Sequence, residues 1–326
     1  MSDSVLMQLL AVLADGKYHS GQELGERLSI SRAAVWKQLN KLPELGVTLE
    51  KSRGQGYCLP GGLEVLDESS IRRAAPTWGA PLIIEQVIPS TNALLLAGAA
   101  EFKSGTVCLA ERQSGGRGRR GRVWQSPFGS NLYLSMLWQY EDGASVLEGL
   151  SLAVGVCIAE ALEGLGFSGI ALKWPNDLLA DGRKLAGVLL EMTGDPSGLC
   201  QVVVGVGINL QMPAAVAKDI DQPWVDLATL AREQRLPRVS RNELAGRLIA
   251  RLAQMLQEFN REGFSSWRSR WQDRAAYIGQ QVDLQTVSRV QSGRFVGVEA
   301  SGALMLETDA GVKSFYGGEV SLRLSS

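Results

Sequence analysis

Seven residues, Gly116-Arg117-Gly118-Arg119-Arg120-Gly121-Arg122, constrain this chain more than any others, because four arginines alternate with three glycines inside a strand pattern. Thr106–Ala110 leads in as an apolar strand. Val123-Trp124 and Ser126–Asn131 lead out to a second apolar run, Leu132–Leu137. A glycine loop held between strands exposes backbone N–H groups, and its guanidiniums add a cationic wall. That combination suits a phosphate or carboxylate ligand that must be wrapped and shielded from water. RNA-binding Arg/Gly segments are the competing reading, but those repeat and lie outside folded cores. This one occurs once, mid-chain, which favours an enclosed anion.

Composition narrows the chemistry. With 326 residues, and about 150 per domain, two or three domains are expected. A hydrophobic content of 45% with 21% charge fits a water-soluble globular chain with an ample core. A net charge of −1 excludes a globally basic nucleic-acid binder, so any DNA contact must come from a local patch. Cys58, Cys108, Cys157 and Cys200 lie far apart with no C-x-x-C, and read as buried thiols of a reducing compartment. The N-terminus lacks a positive stretch followed by a long apolar run, and no segment reaches the ~18 apolar residues of a membrane span. The expectation is a cytoplasmic chain without membrane contact. His19 is the one histidine, which excludes a multi-histidine metal site and leaves a histidine-dependent hydrolase only if it uses this residue. At a predicted helix start, His19 reads as a surface imidazole. Chemistry must therefore run on Arg, Lys, Asp and Asn.

The first sixty residues form a unit. Leu6, Leu9, Leu10 and Leu13 fall at helical spacing, and Asp15-Gly16 breaks it. Ser20 with Glu23 makes a capping box for a helix over Gly21–Leu28. Ser31 caps a third helix that begins at Arg32 and is expected to end at Gly46, with Pro43 bending or stopping it. Val47–Lys51 alternates as a strand, and Arg53-Gly54-Gln55-Gly56-Tyr57 is a hairpin tip. This is the pattern of a winged helix-turn-helix. Between Ser29 and Gly56, Arg32, Lys37, Lys41, Lys51 and Arg53 outnumber Glu44 and Glu50. A helical protein-interaction module is the alternative; the basic third helix and wing tip favour DNA, with Ser31, Arg32, Lys37, Lys41 and Arg53 as the contacts.

After a Pro60-Gly61-Gly62 linker, strands and helices mix in an α+β pattern with a largely antiparallel sheet. Expected elements include strands over Leu82–Val87, Val188–Met192 and Gln201–Gly207. A helix opens at Ser90-Thr91-Asn92, an apolar helix covers Val146–Leu165, and a helix capped by Ser240 and Glu243 runs to about Glu262. From about Gly279, some five short alternating runs read as a small β-barrel or sandwich.

Three further segments carry chemical groups. Lys173-Trp174-Pro175-Asn176-Asp177 offers a cation, an aromatic, a turn, an amide and a carboxylate, or merely a strand ending in an Asx turn. Lys184 opens an apolar strand beside Arg183, either as a snorkelling lysine or as a placed cation. Gly205-Val206-Gly207-Ile208-Asn209 lacks the following helix of a dinucleotide fingerprint.

Taken in order, Ser90-Thr91-Asn92, the arginine loop, Lys173–Asp177, Arg183–Gly187 and Gly205–Asn209 resemble the biotin protein ligases, and the resemblance spans nearly the whole chain. The winged front makes it similar to the bifunctional bacterial form, a ligase that also represses the biotin operon. The resemblance implies a winged helix-turn-helix over 1–60, a mixed, largely antiparallel catalytic domain over 65–275 and an SH3-like β-barrel over 276–326. It implies ATP and biotin as substrates with Mg²⁺. The implied partners are the biotin carboxyl carrier protein of acetyl-CoA carboxylase, operator DNA and a second copy of the chain when the adenylate is bound. By the same resemblance, Ser90, Thr91, Asn92 and Gln113 lie at the biotin head group, with Arg117, Gly118 and Arg119 closing over its carboxyl end. Lys184 bridges biotin carboxylate and phosphate, and Lys184 and Arg119 carry the catalysis. Arg119, Arg122, Asn176, Asn209 and Trp224 meet the nucleotide, and Asp177 is the candidate metal ligand. A lipoate-type ligase and a biotin-sensing repressor without ligase activity are the alternatives.

Overall fold

The buried leucines at 6, 9, 10 and 13 put one apolar stripe on the first helix, and this stripe nucleates the N-terminal core. The computed structural model describes residues 2–324 apart from 142, 144–146, 196–197, 219, 286–289 and 317–320. Helix α1 (Ser2–Leu13) packs on α2 (Gly21–Leu28) and α3 (Arg32–Leu39). The Ser20 hydroxyl accepts from the Glu23 amide and the Ser31 hydroxyl from the Ala34 amide, as capping predicts. The wing is the antiparallel pair β1 (Glu50–Ser52) and β2 (Gly56–Cys58). The third helix is shorter than expected. It ends at Leu39, and Pro43 lies in a separate 3₁₀ turn, Leu42–Leu45, where its missing N–H costs no helical bond. Lys41 therefore sits beyond α3.

The central region follows as α4 (Glu68–Ala74), β3 (Leu82–Ile88), α5 (Thr91–Ala97), β4 (Val107–Gln113), β5 (Leu132–Tyr140), α6 (Leu150–Glu163), β6 (Ile170–Lys173), β7 (Asp177–Ala180), β8 (Arg183–Gly194) and β9 (Cys200–Ile208). It closes with α7 (Ala214–Ala217), α8 (Leu227–Glu233), α9 (Arg241–Glu262) and α10 (Arg268–Gln272). Its sheet runs β3-β4-β5-β9-β8-β7-β6; β3 and β4 are parallel and every other neighbouring pair is antiparallel. Period-two alternation sorts the faces. Leu132, Leu134 and Met136 of β5, with Val202, Val204 and Val206 of β9, join the main core with α6 and α9. Leu137, Val203 and Cys108 point the other way and pack with Leu95 of α5. Gly205 and Gly207 share that second face, and the cavity described below opens there.

Three further boundaries differ from expectation. The wing strand expected over Val47–Lys51 is Glu50–Ser52, the span that pairs with β2. The apolar helix starts at Leu150, because Gly149 at φ +73° caps it in the left-handed region; the expected first residue, 146, lies outside the described residues. Strand β8 starts at Arg183, five residues early, because pairing with β7 and β9 extends through the Arg-Lys-Leu-Ala-Gly segment.

The last strands, β10 (Gln281–Gln285), β11 (Val290–Val298), β12 (Leu304–Thr308), β13 (Gly311–Phe315) and β14 (Ser321–Leu324), form an antiparallel sheet in the order β13-β12-β11-β10-β14. Among the described residues, no pairing joins β13 to β14 to close a barrel. This sheet shares the main core: Phe295 stacks edge-on to Trp271 at 6.3 Å, and the Trp174 indole donates to the Gly302 carbonyl at 3.1 Å. No helix of the described residues is long and apolar enough to cross a membrane.

Candidate active site

The arginine loop is an excursion between β4 and β5 stitched at its base. Arg117 bridges Val123, the Trp124 amide donates to the Gly116 carbonyl at 3.0 Å, and the Gly118 amide to the Arg122 carbonyl at 2.7 Å. Arg120 at φ +58° and Gly121 at φ +69° reverse the chain at the tip. The loop roofs a cavity of about 680 Å³. Every residue that the family resemblance assigns to biotin, nucleotide or metal lines this one cavity: Ser90, Thr91, Asn92, Gln113, Arg117, Gly118, Arg119, Arg122, Asn176, Asp177, Lys184, Asn209 and Trp224.

One part of the wall is a fixed hydrogen-bond lattice. The Thr91 amide and hydroxyl both donate to Gln113 Oε1, at 2.9 and 3.1 Å. The Ser135 hydroxyl joins Thr91 Oγ1 and Asn92 Oδ1, and Asn92 Nδ2 donates to Glu191 Oε2 at 2.8 Å. Ser90 caps α5 through the Ala93 amide, which aims Thr91 and Asn92 into the site. The G-x-G of β9 now has a steric explanation. A Cβ on Gly205 would strike the Asn92 amide, and one on Gly207 would lie 2.6 Å from the Trp124 ring. The motif is a side-chain-free floor beneath two groups that line the cavity.

The second part is ionic. Lys184 Nζ pairs with Asp177 Oδ1 at 2.7 Å, with both side chains less than a fifth exposed, and lies 5.5 Å from the centre of the Trp124 ring. Asn176 accepts from Arg119 Nη1 at 3.2 Å and donates to the Val188 carbonyl at 2.6 Å. Asn209 is buried, and its amide nitrogen donates to the Lys184 and Val225 carbonyls, so it fixes the lysine's backbone. Trp224 is held beside Lys184 by a parallel bridge.

The lining counts Arg117, Arg119, Arg120, Arg122, Lys173, Lys184 and Arg323 against Asp177 and Asp221. Seven cations facing two carboxylates make a site that favours polyanions. Burial pulls Lys173 below the ordinary lysine range; Lys184, Arg323 and Arg122 push the same way, against Asp177. Burial likewise lowers Arg119. Among the described residues the cavity lining includes no cysteine or histidine; the four cysteines are buried elsewhere, and burial pushes Cys108 and Cys157 up to about 12. His19 is elsewhere, buried between Asp15 and Glu23 and not on the surface as expected.

Several residues that line or support the cavity escaped the sequence reading. Glu191 links Asn92 to Arg117 at 3.2 Å, and Ser135 ties the lattice together. Trp124 presents a buried indole N–H without a partner among the described residues. Tyr277 and Arg323 come from the last fifty residues, where no motif marks them. The expected DNA contacts lie on the N-terminal module: Arg32, Lys37 and Arg53 are exposed, Lys41 is half-buried, and the Ser31 hydroxyl is engaged as a cap.

The comparisons with known proteins agree along the whole chain. The bifunctional ligase/repressor BirA of Salmonella typhimurium is 42% identical over 320 residues, covering 98% of both chains. The chain belongs to this biotin ligase/repressor family. Family models match residues 5–58 as an HTH domain, 84–209 as the biotin/lipoate A/B protein ligase family and 277–323 as the biotin protein ligase C-terminal domain. The biotin–[acetyl-CoA-carboxylase] ligase of Paracoccus denitrificans is 34% identical across 70% of this chain and 98% of its own length. The structure of the Aquifex aeolicus biotin protein ligase in complex with biotin and ATP superposes with a TM-score of 0.63 at 29% identity, covering 75% of this chain and 99% of that one.

Proposed function

We propose that this chain activates biotin with ATP and transfers the biotinyl group to a lysine of the biotin carboxyl carrier protein of acetyl-CoA carboxylase. We propose further that its adenylate-bound dimer represses the biotin operon. The observation that carries the ligase reading is a single cavity in which a neutral hydrogen-bond lattice adjoins a cationic wall. The lattice of Thr91, Asn92, Gln113 and Ser135 suits the fused rings of biotin, and the wall suits its carboxylate and a triphosphate.

In the first step a biotin carboxylate oxygen attacks the α-phosphorus of ATP, and the bond from that phosphorus to the bridging oxygen breaks, releasing pyrophosphate. Two anions must approach, so the dominant barrier is electrostatic. Lys184 moves from Asp177 to the point where they meet, Arg119 and Arg122 hold the phosphate, and the loop excludes water from the mixed anhydride. Trp224 and Asn176 orient the nucleotide. In the second step the carrier lysine attacks the biotinyl carbon, AMP leaves, and the amine proton passes to solvent. Neither step needs an enzyme nucleophile.

Mg²⁺ fits as a companion of the nucleotide. Among the described residues no three acidic, cysteine or histidine side chains cluster to hold a metal, and Mg²⁺ commonly binds one or two carboxylates plus substrate phosphates. Asp177, released by Lys184, is the residue that would hold it, and the ion would neutralise phosphate charge. The proposed division of labour is DNA binding in 1–60, chemistry in 65–275 and closure of the cavity by 276–326 through Tyr277 and Arg323.

Lys184→Ala tests the site. Removing one such charge-stabilising group costs about 10²–10³-fold in rate, read as biotin-dependent pyrophosphate release. A folded variant with normal release contradicts the assignment.

A further inference from the structure

Helix α3 exposes Arg32, Ala33, Trp36, Lys37 and Asn40 on one face, at offsets of 0, 1, 4, 5 and 8, while Val35 and Leu39 enter the core. Phosphate contacts explain the two cations but not the tryptophan. Trp36 is 55% exposed, and an uncovered indole on a charged face forgoes the burial that its large apolar ring would otherwise gain. The surroundings are basic: α3 holds no acidic residue, Arg53 is exposed on the wing, and Lys51 Nζ donates to Asn40 Oδ1 at 3.0 Å, tying the wing to the end of α3. The acid of strand β1, Glu50, already accepts from the Tyr18 hydroxyl at 2.9 Å.

A polyanion that offers apolar points at the width of one helix matches this face. The major groove of a DNA duplex has that chemistry, because each thymine places a 5-methyl group on its floor. The A-form groove of RNA is too narrow for side chains to read, and uracil lacks the methyl. We propose that Trp36, with Ala33 one turn earlier, packs on a thymine methyl in each operator half-site and so determines sequence specificity at that base pair. The cations Arg32, Lys37 and Arg53 set register on the phosphates. This rests on the DNA-binding reading above.

The test starts with duplexes selected from a random pool by the full chain holding biotinyl-AMP. Each thymine is then replaced singly by deoxyuridine, which removes the methyl group alone, and affinity is measured at low salt, where weak complexes stay measurable. The wild type is expected to lose about fourfold at one thymine per half-site, the factor that ~0.8 kcal/mol of apolar burial gives at 25 °C. Trp36→Ala is expected to bind thymine and deoxyuridine duplexes equally at that position, and Trp36→Phe to keep part of the difference. The comparison is made within each protein, and a calorimetric transition of the N-terminal module unshifted from wild type shows that both variants keep it folded. A Trp36→Ala protein that retains the full penalty overturns the Trp36 assignment. So does a wild type with no penalty at any thymine; in both cases DNA binding itself stands. A chain that ligates biotin but enriches no duplex overturns the DNA-binding reading, and the role of Trp36 with it.

Discussion

Phe128 comes from the segment that follows the arginine loop, yet it is buried in the core of the N-terminal module, 1% exposed among Leu6, Leu9, Leu10, Leu13, Leu24, Val35, Leu39, Leu42 and Leu59. Its amide donates to the Leu45 carbonyl at 3.2 Å, and Arg112 reaches the Glu44 carbonyl close by. Phe128→Ala removes the one aromatic ring among those ten buried side chains, a change that typically costs ~3–5 kcal/mol. A module of about sixty residues, at ~0.05–0.15 kcal/mol per residue, has ~3–9 kcal/mol of stability in total. The substitution is therefore expected to remove between a third and all of it. Calorimetry should resolve a new early transition, and operator binding should fall above that temperature. Biotin-dependent pyrophosphate release should persist, because Lys184, Asp177 and Asn209 hang on β7, β8 and β9. A single unshifted transition with unchanged operator binding would refute the reasoning.

Three further outcomes are expected. Arg119→Gly removes the bond to Asn176 and leaves part of adenylate synthesis, but speeds dissociation of biotinyl-AMP, so that bystander lysines become acylated; an off-rate equal to wild type would show that the loop is not a lid. At His19 burial opposes charging, but hydrogen bonds to Glu23 and Asp15 outweigh it and raise the imidazole above its ordinary 6.5. Its stabilisation is thus complete below 6.5 and fades as pH rises through the higher folded value. His19→Gln should flatten that loss in the N-terminal module's melting curve, and an unchanged slope would remove His19 as the cause. If biotinyl-AMP orders the arginine loop, it is expected to favour a proposed dimer, and by reciprocity dimerisation is expected to tighten the adenylate; sedimentation with and without it decides, and an unchanged monomer–dimer equilibrium leaves the repressor half uncoupled from the ligase.

The parts of this fold governed by local chemistry were legible. The boxes Ser20/Glu23 and Ser240/Glu243 mark helix starts because a hydroxyl satisfies an amide three residues on, and both do so here. The arginine loop points to a cationic cavity wall because few other settings place four guanidiniums between strands, and Arg117, Arg119, Arg120 and Arg122 do line one. What the chain does not announce is where distant segments meet. Phe128 reads as a loop residue until the N-terminal core closes around it. Tyr277 and Arg323 lie in a stretch of alternating strands whose pattern reports burial and not the cavity it abuts. The resemblance makes Asp177 a candidate metal ligand, but its pairing with Lys184 is a contact created by the β7–β8 hairpin that the sequence does not signal. Gly205 and Gly207 signal only that something approaches closely; the Asn92 amide and the Trp124 ring become identifiable once α5 and the loop are placed.

The most direct test of the central claim is the intact mass of an apo biotin carboxyl carrier domain incubated with this chain, Mg-ATP and equal concentrations of biotin and lipoate. The expected result is a single added biotinyl group on one lysine, absent when ATP is withheld. A carrier that gains lipoyl instead, or one whose mass does not change while the chain is folded, would contradict the account.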